Sequence, residues 1–225
     1  MATEIYSLSQ VPYPQALRWQ RKRKILRAKG LCNDTLLLME HPPVYTAGRA
    51  TQTEDLSEKT LHEIIEVERG GSVTFHGPGQ LVGYLIFDLR LRGRDVHKFL
   101  RDVEKILVRT LAKLGLVGLQ RDGLTGIWVN DEKVASLGIH VSKWITSHGF
   151  SLNIDMDLAP FRLVNPCGQD GRLVTSLRNL LQRDVQRQEV ERILIEQAQG
   201  ILGESVLFGA ELTPFIEEDN NNESI

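Results

Sequence analysis

The spacing of apolar residues changes at Val96, and this change restricts the fold. Before Val96, apolar residues form short runs separated by glycines and prolines, a pattern typical of β-strands. From Val96 to Leu114 they recur every three or four residues with charged residues between them, and Gly115 follows. That spacing predicts an amphipathic helix with one apolar face. The chain must therefore pack a helix against a sheet of short strands.

Strands are predicted on both sides of this helix. Residues 35–40 form a continuous apolar run that is too short for a helix and indicates a buried strand. After the helix, residues 126–129, 133–141 and 145–154 predict an antiparallel meander with a tight turn at residues 130–131. Further strands are predicted at residues 4–8, 44–47, 66–69, 72–75, 81–89 and 117–120.

Two other segments have helical patterns. Pro14 begins a helix over residues 15–29, which Gly30 ends. Residues 190–201 form a second amphipathic helix that stops before Gly203. The whole pattern predicts an α/β or α+β fold, in which helices flank a mixed, mainly antiparallel sheet.

The chain shows no internal repeat and no Pro/Ser-rich linker. Residues 1–216 are therefore expected to form a single domain, with an alternative division that sets off a small C-terminal subdomain from about residue 185. Residues 217–225 are expected to form a flexible acidic tail.

Charge and composition exclude several classes of protein. The formal net charge is -2, so the chain lacks the excess of Lys and Arg that general nucleic-acid binding requires. No apolar run reaches the length of about 18 residues that a transmembrane helix needs. No secretory signal is visible and only two cysteines occur. We therefore expect a cytoplasmic protein with reduced thiols and no membrane partner.

The predicted helix at residues 15–29 is unusually basic. A solvated helix face would explain this charge, and so would a docking surface that attracts an acidic partner. The sequence leaves both open. The basic residues are Arg18, Arg21, Lys22, Arg23, Lys24, Arg27 and Lys29.

Cys167 and Lys133 are the most informative reactive residues. Cys167 lies between Pro166 and Gly168, so its thiol is expected on a turn. The alternative is a small buried apolar residue, which is what most free cysteines are and what Cys32 is expected to be. A turn thiol beside a lysine would have a lowered pKa, which makes it a nucleophile.

Lys133 begins a predicted strand in which Ala135, Leu137, Ile139 and Val141 alternate with polar positions. Regular pairing would place the lysine on their apolar side, where an unpaired ammonium is costly. It must then be paired, deprotonated, or redirected by a bulge. The other interpretation is that it lies in the turn and reaches solvent. If it is buried beside Cys167, the two would form a Cys-Lys dyad.

Histidines offer a rival base. His76 and His148 both lie beside glycines, and either would activate Cys167 if they were adjacent. A metal site is not expected, because the histidines and cysteines have none of the short paired spacings of zinc sites. The glycine-rich loop at residues 69–80 would cradle a phosphate or simply form tight turns, and it matches neither standard nucleotide motif.

Three separate segments resemble the octanoyltransferases of lipoate biosynthesis. They are RGGSVTFHGPGQLVGYLIFDL at 69–89, EKVASLGIHVSKWITSHGFSLNI at 132–154 and NPCG at 165–168. The similarity extends from HPPVYTAGR at 41–49 to VTSL at 174–177. It implies a fold similar to the catalytic domains of biotin and lipoate ligases. It also implies a catalytic acyltransferase domain that needs no cofactor.

The resemblance implies the substrates as well. An octanoyl or lipoyl group would pass from acyl carrier protein to a lysine on the lipoyl domain of a 2-oxoacid dehydrogenase or on the glycine-cleavage H protein. The family's thioester nucleophile corresponds to Cys167, and the lysine that lowers its pKa corresponds to Lys133. The substrate-binding positions correspond to Arg69, Gly70, Gly71, Ser72, Val73, Thr74, Phe75, His76, Ser136, Leu137, Gly138, Gly149, Phe150 and Ser151.

Two other functions fit parts of the same pattern. An ATP-dependent lipoate or biotin ligase of the same fold would use the RGG loop for phosphate and would not need a nucleophilic cysteine. A non-catalytic acyl-carrier binding module would hold the acyl chain and transfer nothing. An acyl-enzyme intermediate separates both from a transferase, because only the transferase forms one.

Overall fold

The structure, a computed structural model, describes residues 2–56, 60, 62–121, 124–164, 173–203 and 205–208. The helices are α1 (Tyr13–Ala28), α2 (Val96–Lys113), α3 (Leu177–Leu181) and α4 (Arg187–Leu202). The strands are β1 (Ala2–Gln10), β2 (Asp34–Glu40), β3 (Val44–Ala47), β4 (Ile64–Glu66), β5 (Thr74–His76), β6 (Gln80–Ile86), β7 (Leu119–Arg121), β8 (Leu124–Val129), β9 (Glu132–Ser142), β10 (Ile145–Asn153) and β11 (Ser205–Phe208). Short 3₁₀ turns lie at Thr53–Asp55, Leu89–Leu91 and Ala159–Leu163.

Within these ranges, eight strands form one mixed sheet in the order β11-β1-β2-β6-β10-β9-β8-β7. β11, β1 and β2 run parallel, and every other neighbouring pair is antiparallel. The predicted meander is confirmed as β8, β9 and β10, with positive φ angles at Asn130 and Asp131 in its first turn. A second sheet, in the order β4-β3-β5, was not predicted. The predicted fold class is confirmed.

Helices α2 and α4 cover one face of the large sheet. The helix predicted from the apolar spacing is α2, and Phe99, Val103, Leu107 and Leu111 on its buried side belong to the largest apolar cluster. The Asp95 carboxylate caps the helix by accepting a hydrogen bond from the backbone N–H of Lys98 (2.8 Å). Helix α4 packs against α2, and its apolar residues join the same cluster.

Helix α1 lies on the opposite face, against β10 and β6. Its basic residues do not all face solvent, which corrects the interpretation of the whole run as a solvated face. Arg23 forms an ion pair with Glu4, and Arg27 donates from Nε to the Asp34 carboxylate (2.8 Å). Both arginines are less than a tenth exposed. Burial is possible because each guanidinium meets a carboxylate.

The structure corrects the predicted strand positions between residues 64 and 76. The strand predicted at 66–69 is β4 at Ile64–Glu66, and the one predicted at 72–75 is β5 at Thr74–His76. Residues 68–72 form a series of bends instead. They do so because the Arg69 guanidinium bonds to carbonyl oxygens, which holds the backbone in a loop.

The C-terminal part adds α3 and β11, neither of which was predicted. The division of the chain into domains stays a prediction, although α4 shares its core with α2. The predicted tail at residues 217–225 lies outside the described residues. Among the described helices, none is both long enough and apolar enough to cross a membrane.

Asp34 joins helix α1 to the large sheet. Its carboxylate accepts hydrogen bonds from Arg27, from Arg92 (Nη2, 2.8 Å) and from the backbone N–H of Asp88 (2.9 Å), and the residue is 1% exposed. We expect Asp34→Ala to lower the free energy of unfolding by about 3–5 kcal/mol, because it leaves buried guanidinium groups without their carboxylate. Urea denaturation measures this.

A surface pair provides the control. Asp102 on α2 pairs with Lys98 (2.7 Å) and Lys105 (3.3 Å), both of which are mostly exposed. Asp102→Ala should cost at most about 1 kcal/mol, because solvent screens such pairs. Equal losses in the two variants would contradict the role assigned to Asp34.

Candidate active site

A cavity opens on the side of the sheet that α1 covers, and the space within it, including its open mouth, is about 570 Å³. Segments far apart in the sequence meet there, from α1, the loop at 69–76, β6, β8, β9 and β10. The lining residues are Tyr13, Arg69, Gly71, Ser72, Val73, Thr74, His76, Val82, Tyr84, Thr125, Lys133, Ser136, Leu137, Gly138, His148, Gly149, Phe150 and Ser151.

Twelve of the fourteen residues predicted to bind substrate line this cavity, and the other two, Gly70 and Phe75, do not. Gly70 lies at its edge, where its backbone N–H donates to the carbonyl of Ile139 (3.0 Å). Phe75 points into a separate apolar cluster and is 3% exposed, so it does not line the cavity. Cys167 lies outside the described residues.

A β-bulge sets the direction of Lys133. Ile127 of β8 lies opposite Ala135 of β9. The next residue, Trp128, lies opposite Lys133, which leaves Val134 as an extra residue in β9. Val134 and Ala135 are both buried in the core. A bulge of this kind reverses the alternation of side chains beyond it.

Regular pairing, which would place Lys133 on the apolar side of β9, is therefore not observed, and the structure shows the alternative in which a bulge redirects the lysine. Ala135, Leu137, Ile139 and Val141 do contact the apolar cluster, as predicted. Lys133 instead lines the cavity, because the bulge turns it away from that face. It is half-buried, and its Nζ lies 5.3 Å from the centre of the Trp128 ring, an arrangement that stabilises an ammonium.

The segment that follows Cys167 in the sequence returns to Lys133. Val174 forms a parallel bridge with Lys133, and the backbone N–H of Thr175 donates to the Lys133 carbonyl (3.0 Å). Both contacts fix the backbone that carries the amine. The chain between Val164 and Leu173, which includes Cys167, lies outside the described residues.

Glycines and serines form the floor of the cavity. Gly138 of β9 pairs with Gly149 of β10, and Ser136 pairs with Ser151. A Cβ at Gly138 would lie 2.8 Å from the carbonyl oxygen of Gly70, and one at Gly149 would overlap the carbonyl oxygen of a neighbouring strand. Both positions therefore require glycine, because backbone oxygens already occupy the space that a Cβ would take.

Arg69 holds the loop beside this floor. Its guanidinium donates to the carbonyl oxygens of Ser72 (2.7 Å) and Gly70 (3.1 Å) and to both oxygens of Thr46. The Ser72 hydroxyl donates to the Asp55 carboxylate. These hydrogen bonds join Arg69 to its own loop and to β3, which assigns it to shaping the cavity wall.

Sequence reasoning missed the wall opposite Lys133. The His41 ring donates from Nδ1 to the carbonyl of Val11 (2.6 Å), so its Nε2 accepts from the Tyr84 hydroxyl (2.7 Å). Tyr13 meets Tyr84 edge-on, with ring centres 6.5 Å apart, and stacks on His76, with ring centres 5.7 Å apart. The alternation of Val82 and Tyr84 along β6 was a usable signal. Nothing in the sequence indicated that Tyr13 and Thr125 also line the cavity.

The histidines near the cavity are uncharged at neutral pH. Burial lowers the pKa of His41 to about 4 and that of His76 to about 3. Burial, together with the positive charge of Arg69, lowers the pKa of His148 to about 3. Imidazoles with such pKa values are weak bases at pH 7, which disfavours the Cys-His alternative.

His148 has two further features. Its φ angle is 59°, which is unusual for a residue other than glycine. Its Nδ1 is buried and has no hydrogen-bond partner among the described residues. A search of those same residues finds no group of three or more His, Cys, Asp or Glu side chains that could hold a metal ion.

Comparison with known proteins finds a single family over most of the chain. Residues 12–199 match the family described as "Lipoyl protein ligase A/B catalytic domain". An octanoyltransferase of Geobacter metallireducens is 43% identical over 204 residues, which cover 91% of this chain and 95% of that protein. An octanoyltransferase of a Synechocystis species is 47% identical over 183 residues, which cover 79% and 80%.

Solved structures share the fold at low sequence identity. A lipoate-protein ligase A bound with ATP superposes with a TM-score of 0.74 at 18% identity, covering 94% of this chain and 89% of that one. The apo biotin protein ligase of Aquifex aeolicus superposes with a TM-score of 0.51 at 13% identity, covering 89% and 68%. The expected similarity to the folds of lipoate and biotin ligases is confirmed.

The buried histidines predict how stability depends on pH. An unfolded histidine has a pKa near 6.5, so below that pH the unfolded chain binds more protons than the folded one. Stability should therefore fall as the pH drops from 7 to 5, by about 2 kcal/mol for each of His41, His76 and His148. Urea denaturation across this range measures the slope. His148→Gln should reduce it, and an unfolding free energy that does not change with pH would contradict the burial of uncharged imidazoles.

Proposed function

The chain belongs to the octanoyltransferases of the lipoyl protein ligase A/B catalytic-domain family, and from that premise we propose its donor, acceptor and chemistry. It is an acyltransferase of octanoyl groups. Its donor is octanoyl-acyl carrier protein, and its acceptor is a lysine on a lipoyl domain of a 2-oxoacid dehydrogenase or on the glycine-cleavage H protein. The group passes through a thioester on Cys167, and Lys133 moves the protons.

The position of Lys133 carries this proposal. The bulge at Val134 directs its amine into the cavity, where a core strand would otherwise place an apolar side chain. A half-buried amine beside a glycine floor suits a group that must give up and take back a proton. The bridge between Lys133 and Val174 supports Cys167 as its partner, because Val174 follows Cys167 in the sequence.

The first half of the reaction loads the enzyme. The Cys167 thiolate, stabilised by the Lys133 ammonium, attacks the carbonyl carbon of the octanoyl thioester. The bond between that carbon and the carrier sulfur breaks, and the departing sulfur takes a proton from Lys133. One thioester replaces another, so this step is close to neutral in free energy.

The second half transfers the acyl group to the acceptor. The neutral amine of the acceptor lysine attacks the octanoyl-Cys167 thioester, and its proton passes to Lys133. An amide forms, the bond to sulfur breaks, and Cys167 returns to a thiolate beside an ammonium. An amide is more stable than a thioester, so the transfer runs without ATP. Backbone N–H groups near Gly138 or Gly168 are candidate oxyanion donors, each worth about 3 kcal/mol.

The shape of the cavity supports an apolar chain as its occupant. The paired glycines add no side chain to the floor, and the wall opposite Lys133 carries uncharged Tyr13, Tyr84 and His76. Each CH₂ group that leaves water for such a cleft contributes about 0.8 kcal/mol. The octanoyl chain therefore lies between Lys133 and this wall. His76 lines the pocket and does not act as the base.

An acyl-enzyme adduct tests the proposal. After the protein is mixed with octanoyl-carrier in the absence of nucleotide, mass spectrometry should show the added mass of one octanoyl group. Iodoacetamide pretreatment should prevent the adduct. Cys167→Ala should form none and lose octanoyl transfer, because no nucleophile remains.

Cys32→Ala provides the matched control, since Cys32 is the other cysteine and should not be needed. Undiminished transfer by Cys167→Ala would disprove the thioester route. Activity that appears only with ATP would favour the ligase alternative, and carrier binding with no adduct would favour the binding module.

The exposed part of the basic run on α1 predicts how the carrier docks. Arg21 is about half exposed beside the loop at Glu68 (3.0 Å), and Lys24 is near the same carboxylate. Reversing Arg21 and Lys24 to Glu should lower kcat/KM for octanoyl-carrier several-fold at low salt, and the effect should shrink as salt rises. Lys105→Glu with Lys113→Glu changes charge equally on distant α2, where both side chains are exposed. Equal rates in the two double variants at low salt would count against docking on α1.

A further inference from the structure

Two buried polar side chains near the cavity have no role in the mechanism above. Gln80 begins β6 and is 0% exposed, and Asn153 ends β10 and is 4% exposed. Burying an amide without hydrogen bonds costs free energy, so each needs specific partners. Their partners link the wall of the cavity to the backbone of Lys133.

The hydrogen bonds of Gln80 fix its orientation. Its Nε2 donates to the carbonyl of Phe75 (3.2 Å) and to Oδ1 of Asn153 (2.8 Å). Its Oε1 is therefore the group that accepts from Nδ1 of His76 (2.7 Å). An amide turned the other way would point oxygen at oxygen.

That orientation determines what Asn153 does next. Because Oδ1 of Asn153 accepts from Gln80, its Nδ2 faces Thr175 and donates to the Thr175 carbonyl (2.9 Å). The N–H of Thr175 in turn donates to the Lys133 carbonyl (3.0 Å), beside the bridge between Lys133 and Val174. One hydrogen bond thus ties the end of β10 to the segment that holds Lys133.

We propose that Asn153 is a positioning residue for Lys133. It holds the segment at 174–176 against the start of β9, and so fixes the backbone that carries the Lys133 amine. This inference rests on the proposed function, because that function gives Lys133 its partner. Asn153 itself does not contact the reacting atoms.

Few other side chains meet the requirements of this position. Gln80 presents a donor and the Thr175 carbonyl presents an acceptor, so the residue between them must accept on one side and donate on the other. An asparagine amide does both. An ionised aspartate has the same shape but only accepts, so it would set a carboxylate oxygen against the Thr175 carbonyl. Asn153→Asp therefore breaks one bond without removing volume.

The experiment compares Asn153→Asp with Asn179→Asp, both in a Cys32→Ala background. Asn179 lies exposed in α3, so its variant makes the same chemical change away from this link. The rate of Cys167 alkylation by iodoacetamide is followed against pH in the folded proteins. Octanoyl transfer gives kcat and KM for octanoyl-carrier. Circular dichroism verifies folding.

We expect Asn153→Asp to lower kcat by about 10- to 100-fold, less than the roughly 10²- to 10⁴-fold worth of a proton-transfer group, because Lys133 is displaced and not removed. KM should change less than threefold. The midpoint of alkylation should move up toward that of an ordinary thiol, near pH 8.5. Asn179→Asp should have the same kcat, KM and alkylation midpoint as its parent. A merely structural loss would reduce the amount of folded enzyme without moving the midpoint of what remains.

Asn153→Ser keeps the test decisive if the aspartate variant does not fold. Its hydroxyl can accept and donate but is too short to span both partners, so it should give a smaller change in the same direction. An unchanged midpoint and kcat in a folded variant would overturn the role of Asn153. If the parent itself forms no octanoyl adduct and its thiol titrates ordinarily, the proposed function fails instead, so the two failures are distinguishable.

Discussion

The extra residue in β9 is the constraint on which the site depends. A regular strand would place Lys133 on the same side as Ala135 and Leu137, inside the apolar core. Val134 is the extra residue of the bulge, and its side chain packs in the core. Lys133 therefore points to the opposite face of the sheet, toward the cavity. Val134 therefore packs with the apolar residues of α2 and α4, and its neighbour Lys133 presents an amine on the opposite face. Bulges next to reactive groups commonly have this role.

The floor of the cavity depends on positions in the sheet that carry no side chain. Gly138 and Gly149 remove side chains from the middle of the floor, and the loop fixed by Arg69 forms one side. Helix α1 supplies Tyr13 at the far wall, and the ionic contacts of Asp34 hold that helix on the sheet. The sheet, the loop fixed by Arg69 and helix α1 thus each form one part of the cleft. The positive charges at this cleft belong to Lys133 and Arg69, and the wall opposite Lys133 consists of uncharged rings.

Much of this arrangement could be predicted from the sequence, and the exceptions have physical causes. The spacing from Val96 onward predicted α2, and the alternation in β9 and β10 predicted their pairing. Each pattern lies within one segment of the sequence, so it is visible without knowledge of the rest of the fold. The alternation in β9 raised a bulge at Lys133 as one of three outcomes but did not select it, because a bulge is defined by the register of the partner strand. The buried Arg23 and Arg27 were missed for a similar reason: their carboxylates lie on β1 and β2. Tyr13 reaches the cavity only because α1 crosses the sheet.

The hydrogen bonds of the far wall all run in one direction. His41 donates from Nδ1 to the backbone carbonyl of Val11, and Tyr84 donates its hydroxyl hydrogen to Nε2 of His41. The hydroxyl hydrogen of Tyr84 is therefore committed inside the protein, and toward the cavity this group offers only a lone pair and its ring. A fatty tail with a terminal methyl rests there without loss. A tail ending in a carboxylate would gain no hydrogen bond from Tyr84, so the order of these two protons favours a methyl end over a second carboxylate.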